Sequence, residues 1–252
     1  MSTAFTPDAA TAALLAPGGR LRAAINLGNP ILAATDPATG RARGVSVDLA
    51  QALAERLGVP LDTSEFPAAT KSVDAVTGGV ADIGFFAIDP LRGAEIAFTD
   101  AYILIEGAYL VRADSRCRAN EDVDRAGTTV VVGKGSAYDL FLTRELKAAS
   151  FLRVPGAAEV VQTLRAGGAD VAGGIRQVLV EVAAQDPGLR TLPGRFMVIR
   201  QAMGLARTRG PAAEAALRAF VEDVKASGFV AEAMARHAVA GASVAPADTH
   251  SN

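Results

Sequence analysis

The stretch that decides the fold is ADIGFFAIDPLRGAEIAFTDAY, residues 81–102. Its apolar run Ile83–Ile88 is too short to span a membrane and lacks a helical period, which predicts a buried β-strand. Asp89 and Pro90 end that strand and begin a turn or short helix. Arg92 therefore follows the carboxyl end of a central strand, where open α/β sheets bind ligands. An arginine there offers a rigid fork of donors to a carboxylate or phosphate, although a surface ion pair is the commoner role.

The composition excludes several classes of function. The 252 residues suffice for one large domain or two lobes, and the net charge of -2 argues against nucleic acid and polybasic membrane contacts. No segment is apolar and long enough to cross a membrane. The single cysteine, Cys117, forms no intramolecular disulfide and is expected at the surface among charged neighbours. The two histidines, His237 and His250, lie near the C-terminus, so we expect no metal site and no cofactor.

A short internal repeat favours two α/β lobes. Residues 73–79 form a short helix ending in Gly-Gly before the strand that starts near Asp82, and residues 161–168 do the same before Asp170. Upstream, Ser46–Leu57 predicts an amphipathic helix with Ser46 as its N-cap and Gly58 as its stop.

A second glycine-containing turn follows the predicted strand at residues 128–132. It reads Gly133-Lys134-Gly135-Ser136 and precedes a predicted helix at 137–147, with Ser136 as N-cap and Asp139 able to reach back. Glycines and a helix N-terminus suit an anion. An ordinary capped strand-to-helix turn explains the same residues equally well.

The order of these segments resembles the family 3 solute-binding proteins of bacterial ABC transporters, the polar amino-acid type. The segments are residues 44–50, the Asp-Pro-Leu-Arg turn with residues 98–100, and residues 133–136, and the resemblance covers about Leu21 to Ala238. It implies a type II periplasmic-binding-protein fold, an α/β architecture with a central mixed sheet flanked by helices in each of two lobes and two hinge crossings. The expected parts are a flexible leader with a possible short helix (1–18), lobe 1 (19–110 plus 203–240), lobe 2 (111–202) and a disordered tail (241–252).

The resemblance also implies roles for site residues. Arg92 would grip the ligand's carboxylate, and the Ser136 hydroxyl with the Ala137 backbone would hold the same group. Four positions depart from the family pattern: Phe85 and Ala87 replace hydroxyl residues, Asn29 replaces an aromatic residue, and Ile175, with Arg176 beside it, replaces the acid that holds an ammonium group. Because a buried ammonium without an anionic partner is costly, an ordinary α-amino acid ligand is not favoured.

The remaining candidates make the expected site cationic. Lys71 and Lys134 are equally well explained as solvated surface charges, and Glu106 is either a hinge ion-pair partner or a ligand contact that offsets Lys71. The predicted ligand-binding set is Asn29, Lys71, Phe85, Ala87, Arg92, Glu106, Lys134, Gly135, Ser136, Ala137 and Arg176. No catalytic residue is predicted.

Three functions are compatible with these observations. The first is a non-enzymatic, monomeric binding protein that closes on a small carboxylate ligand, an organic acid or an atypical amino acid, for an ABC transporter permease. The second is a cyclohexadienyl-dehydratase-like enzyme with Glu106 as its acid, and the third is an intracellular ligand sensor. The family is normally exported, whereas residues 1–20 show no secretory signal, so periplasmic and cytoplasmic locations both stay open.

Overall fold

The computed structural model describes residues 5–247. The chain divides into two compact units, one formed by residues up to 104 and from 200 onward, the other by residues 105–199. These boundaries fall earlier than the expected ones at 110 and 202. They are not marked by loops, because each lies inside a continuous β-strand.

Twelve strands and eight helices are assigned to the described residues. In chain order they are α1 (Ala9–Leu15), β1 (Leu21–Asn26), β2 (Ala34–Thr35), β3 (Ala42–Arg43), α2 (Val45–Leu57), β4 (Leu61–Phe66), α3 (Ala69–Thr77), β5 (Ile83–Ala87), β6 (Ile96–Arg112), β7 (Thr129–Gly133), α4 (Ala137–Glu145), β8 (Ser150–Val154), α5 (Ala157–Arg165), β9 (Val171–Ile175), α6 (Arg176–Gln185), β10 (Leu189–Thr191), β11 (Met197–Ala206), α7 (Pro211–Ala226), α8 (Phe229–Arg236) and β12 (Ala242–Val244). Among the described residues, no helix has the length and apolarity needed to cross a bilayer.

The sheet of the first unit is built around β1. Strand β1 pairs in parallel with β4 and with β5, and β11 pairs antiparallel with β5, with Gln201 opposite Ala87. Every residue of β5 is buried, as its apolar run predicts. Since parallel neighbours end at the same edge of a sheet, the segments that follow β1, β4 and β5 share one edge.

The sheet of the second unit has the same arrangement, with β7 in the place of β1. Strand β7 pairs in parallel with β8 and with β9, while β6 and β9 are antiparallel, with Gly107 opposite Ile175. The carboxyl ends of β7 and β9 therefore lie side by side. The turn at residues 133–136 and the start of α6 follow those two ends directly.

Helix α2 begins one residue before the expected position. Its N-cap is Gly44, with a φ of 130°, and a Cβ there would lie 2.3 Å from the Leu32 carbonyl oxygen, so only glycine fits. The expected cap, Ser46, is instead buried inside the first turn, and its N–H donates to the Leu32 carbonyl. Gly58 ends the helix in the left-handed conformation, as predicted.

The two ends of the described chain are more ordered than expected. Helix α1 is capped by Asp8, Leu15 is completely buried, and the Phe5 ring packs edge-on against Phe220, so residues 5–16 are not a flexible leader. Strand β12 pairs with β6, and the Ala245 N–H donates to the Tyr102 carbonyl at 3.0 Å. Burial of apolar side chains and backbone pairing fix both segments. Residues 1–4 and 248–252 lie outside the described range.

Cys117 also departs from the expectation of a surface thiol. Its side chain is buried in the apolar core of the second unit, together with Val123 and Val130. The neighbouring Arg116 and Arg118 are exposed, so the charged stretch turns its arginines outward while the cysteine packs inward.

Candidate functional site

Arg92 lies in a short 3₁₀ turn after β5, and only 8% of the residue is exposed to solvent. The turn forms because the Asp89 carboxylate accepts the Leu91 N–H at 2.9 Å and the Asp89 carbonyl accepts the Gly93 N–H. The guanidinium donates through Nη1 to the Ala87 carbonyl at 3.1 Å. Burial lowers the pKa of Arg92, and the charge of Asp89 opposes that shift. The result is a fixed, desolvated cation at the carboxyl edge of the sheet.

Phe85 and Ala87 are both buried, at 3% and 5% exposure. The Phe85 ring lies edge-on to Tyr102 with centroids 6.3 Å apart, so this position packs the interior of the first unit. Ala87 contributes its carbonyl oxygen to Arg92. At the two positions where the family pattern has hydroxyl groups, Phe85 packs against Tyr102 and Ala87 accepts a hydrogen bond from Arg92 through its backbone carbonyl.

Asn29 and Lys71 lie in the segments that follow β1 and β4 at the same edge. Asn29 accepts the Ile31 N–H through its side-chain oxygen at 3.3 Å, so it shapes its own loop. Lys71 pairs with Asp74 at 4.0 Å on α3, and both side chains are about two-thirds exposed, at 67% and 69%. Such a surface pair contributes little to stability.

The turn after β7 has the predicted capped geometry. The Ser136 Oγ accepts the Asp139 N–H at 3.1 Å, and the Asp139 carboxylate accepts the Gly135 N–H at 2.8 Å. Sequence predicted that Asp139 reaches back toward the cap, and it does so one residue further upstream. The other Asp139 oxygen accepts Arg153 Nε at 2.9 Å, which anchors the turn to β8. Lys134 is exposed, and its backbone N–H donates to the Val154 carbonyl.

Glu106 joins two arginines of its own unit. Its Oε2 lies 2.6 Å from Arg176 Nη1, and its Oε1 lies 2.6 Å from Arg195 Nη1. Hydrogen bonds from Arg195 and then from Arg176 lower the pKa of Glu106. Of the two roles considered for Glu106, the ion-pair role matches these contacts, and its partners are Arg176 and Arg195 while Lys71 pairs with Asp74.

Arg195 is the member of this cluster that sequence reasoning missed. It lies in an irregular segment between β10 and β11, directly after the turn residues Pro193 and Gly194, which mark a turn but assign no role to the arginine. Its partner Glu106 is 89 residues away in the chain. Only the folding of the second unit brings these two residues together. Within residues 5–247, no group of histidine, cysteine and acidic side chains is arranged to hold a metal ion.

Comparison with known proteins agrees with this architecture. The sequence profile of the family described as "Bacterial extracellular solute-binding proteins, family 3" matches residues 21–239. A glutamine-binding protein of Geobacillus stearothermophilus is 28% identical over 165 residues, which are 64% of this chain and 63% of that protein. The chain therefore spans less than two-thirds of that relative.

Two solved structures show the same fold at low identity. An amino acid ABC transporter substrate-binding protein from Streptococcus pneumoniae bound to L-arginine has a TM-score of 0.74 at 19% identity, covering 88% of this chain and 96% of that one. The ancestral amino acid-binding protein AncCDT-1, a precursor of cyclohexadienyl dehydratase, has a TM-score of 0.73 at 20% identity, covering 90% and 98%. The predicted α/β fold, of the type II periplasmic-binding-protein class, is confirmed. The family match runs from the first residue of β1 to beyond the end of α8, and the chain belongs to the family 3 bacterial extracellular solute-binding proteins.

Proposed function

We propose that this protein captures a small carboxylate-bearing ligand, an organic acid or an atypical amino acid, for an ABC-type uptake system. The observation that carries the proposal is Arg92, a buried guanidinium held at the carboxyl edge of the first unit's sheet. Desolvated cations attract anions strongly because little water competes for their charge. Arginine also matches the two oxygens of a carboxylate in a bidentate contact.

The second unit supplies complementary donors in this proposal. Ser136 caps α4, and the Ala137 N–H is the first of that nine-residue helix. A helix N-terminus carries partial positive charge and unpaired N–H groups, both of which favour an anion. A ligand carboxylate would therefore find donors at Ser136 and Ala137 in the second unit, as it would at Arg92 in the first.

An ordinary α-amino acid fits the second unit poorly. The last position of β9, which would face an ammonium group, carries Ile175, and the neighbouring acid, Glu106, already holds two guanidinium groups. An ammonium group brought to this cluster would meet a net positive charge. The relatives named for glutamine or arginine binding therefore do not fix the ligand of this chain, and an acid without a free ammonium group is favoured.

The contacts of Glu106 also weigh against an enzyme. A dehydratase needs a general acid that holds a proton near the operating pH. The two arginines lower the pKa of Glu106, so its carboxylate stays ionised at neutral pH. This favours binding over the cyclohexadienyl-dehydratase-like activity considered from the sequence.

The test is ligand binding by the purified chain and by Arg92→Lys. Thermal shift would first identify stabilising compounds among butyrate, succinate, glutarate, L-glutamine and L-arginine, since a ligand that binds only the folded state raises Tm. Lysine keeps the charge but lacks the bidentate fork of donors, so calorimetry on Arg92→Lys should then show a loss of about tenfold or more, the range for losing a hydrogen bond to a charged group.

The matched control is Arg20→Lys, the same exchange in an exposed pair with Asp62 at the opposite edge of the first unit. It should leave affinity unchanged. Equal affinities of wild type and Arg92→Lys, with both proteins folded by circular dichroism, would overturn the assignment of Arg92.

A further inference from the structure

We infer that Arg176 and Arg195, held in place by Glu106, form a second anion subsite, so that the ligand carries two acidic groups. This inference rests on the proposed function, because it specifies the ligand of the same site. The proposed function assigns the first carboxylate to Arg92 and the Ser136 turn, so neither Arg176 nor Arg195 is needed to bind it.

The contacts within the cluster leave donors for a ligand. Each arginine reaches a different oxygen of Glu106 through Nη1 at 2.6 Å. A guanidinium carries N–H groups on two further nitrogens as well. The Arg176 and Arg195 side chains are 44% and 54% exposed, so those groups are accessible to solvent or to an anion.

The charge of the cluster is unbalanced. Two guanidinium groups face one carboxylate, which leaves a net charge of about +1 on partly exposed side chains. The next acid along α6, Glu181, accepts a hydrogen bond from Gln177 at 2.8 Å. A second ligand carboxylate would complete the balance, and Glu106 would act as a positioning residue that orients both forks.

The place of the cluster in the sheet supports its use by the ligand. Val131 is opposite Ala172 in the parallel pair β7–β9, so the two strands end side by side. The Ser136 turn follows β7 and Arg176 follows β9, and adjacent strands are about 4.8 Å apart. Arg176 also begins α6, a ten-residue helix whose N-terminus favours negative charge. A short ligand with an acid at each end can therefore contact both turns of the second unit.

The experiment compares dicarboxylates with monocarboxylates of matched length. Calorimetry would measure succinate, glutarate and butyrate on wild type, Arg176→Gln and Arg195→Gln. Each variant should weaken succinate or glutarate binding by about tenfold or more, the range for losing hydrogen bonds to a charged group, and change butyrate binding by less than about threefold. The control is Arg165→Gln, another exposed arginine of this unit, paired with Asp186, which should change neither.

The outcomes separate this inference from the proposed function. Equal losses for monocarboxylates and dicarboxylates in the two variants, or no preference for dicarboxylates in wild type, would overturn the second subsite while leaving Arg92-dependent carboxylate binding intact. If no carboxylate stabilises the wild-type protein, the proposed function itself fails. Unfolding curves without ligand would show whether the variants remain folded, and a loss of stability with an unchanged dicarboxylate preference would identify the cluster as a brace only.

Discussion

Two clusters in this protein have the same composition, one acid between two arginines, yet they differ in burial. In the first unit, Asp82 contacts Arg22 at 2.7 Å and Arg209 at 3.0 Å, and its side chain is fully buried. In the second unit, Glu106 contacts Arg176 and Arg195, and its side chain is 31% exposed. The buried acid accepts a further bond from the Arg22 backbone N–H, so it joins β1, β5 and the segment before α7.

Exposure and position separate a structural ion cluster from a candidate binding cluster. A buried carboxylate needs every available donor, because each unsatisfied lone pair is costly away from water. Asp82 lies at the amino edge of its sheet, opposite the segments that carry Arg92. Glu106 lies beside the carboxyl ends of β7 and β9, and its arginines keep donors accessible.

The largest expected difference is in stability. Asp82→Asn should lower the free energy of unfolding by about 3 kcal/mol, the low end for breaking a buried pair, because Arg22 and Arg209 retain some access to water. Glu106→Gln should cost no more than about 1 kcal/mol, as for an exposed pair. Urea unfolding followed by circular dichroism measures both, and equal losses would remove the distinction between the clusters.

The pH dependence of the free energy of unfolding tests the role of the buried Asp82 cluster. Burial raises the pKa of Asp82, but hydrogen bonds from the Arg22 side chain, the Arg22 backbone and Arg209 outweigh it, so the pKa lies below its ordinary value. A lowered pKa stabilises the folded state above the unfolded value of about 4, and this stabilisation is lost as the pH falls through the folded pKa. The stability gap between wild type and Asp82→Asn should therefore narrow below about pH 4.

That narrowing is measured by urea unfolding at pH 7, 4 and 3 on wild type and Asp82→Asn. The control is Arg20→Lys, which changes an exposed ion pair, whereas Asp82 is buried. A gap that widens on acidification would mean that burial dominates and that the pKa of Asp82 is raised.

The smallest expected effect is the response to salt. Exposed charges are screened over a Debye length of about 10 Å at 0.1 M salt, whereas buried pairs are screened much less. The stability cost of Glu106→Gln should therefore shrink between 0.05 and ~1 M NaCl, while that of Asp82→Asn stays nearly constant. Thermal unfolding across a salt series measures this. If the stability cost of Glu106→Gln does not depend on salt, the Glu106 cluster behaves like the buried Asp82 cluster.

Much of the fold followed from local signals. The apolar run of β5 predicted a buried strand, and Asp89 with Pro90 predicted the turn that carries Arg92. Ser136 and Asp139 predicted the capped start of α4 because both hydrogen-bonding partners lie within four residues. Family resemblance added the two-lobed architecture, which rests on the order of these local motifs along the chain.

Other features had no local signal. Ser46 is a favoured residue type for an N-cap, yet Gly44 takes that position because the backbone of Leu32 approaches it closely. Cys117 is buried although charged residues flank it, and β12 is ordered by pairing with a distant strand. In each case a contact remote in sequence outweighed the local preference.

By itself, the sequence determined the buried strand β5, the capped turn before α4 and the family, since these depend on apolar patterning, on hydrogen bonds between near neighbours and on the order of the motifs. Only the tertiary structure decided which charges meet. Arg195 joins Glu106 across 89 residues, and Arg209 joins Asp82 across 127 residues. Arginine and acid side chains have no period that marks such partners, so the strand order and register must first bring them to one edge of a sheet.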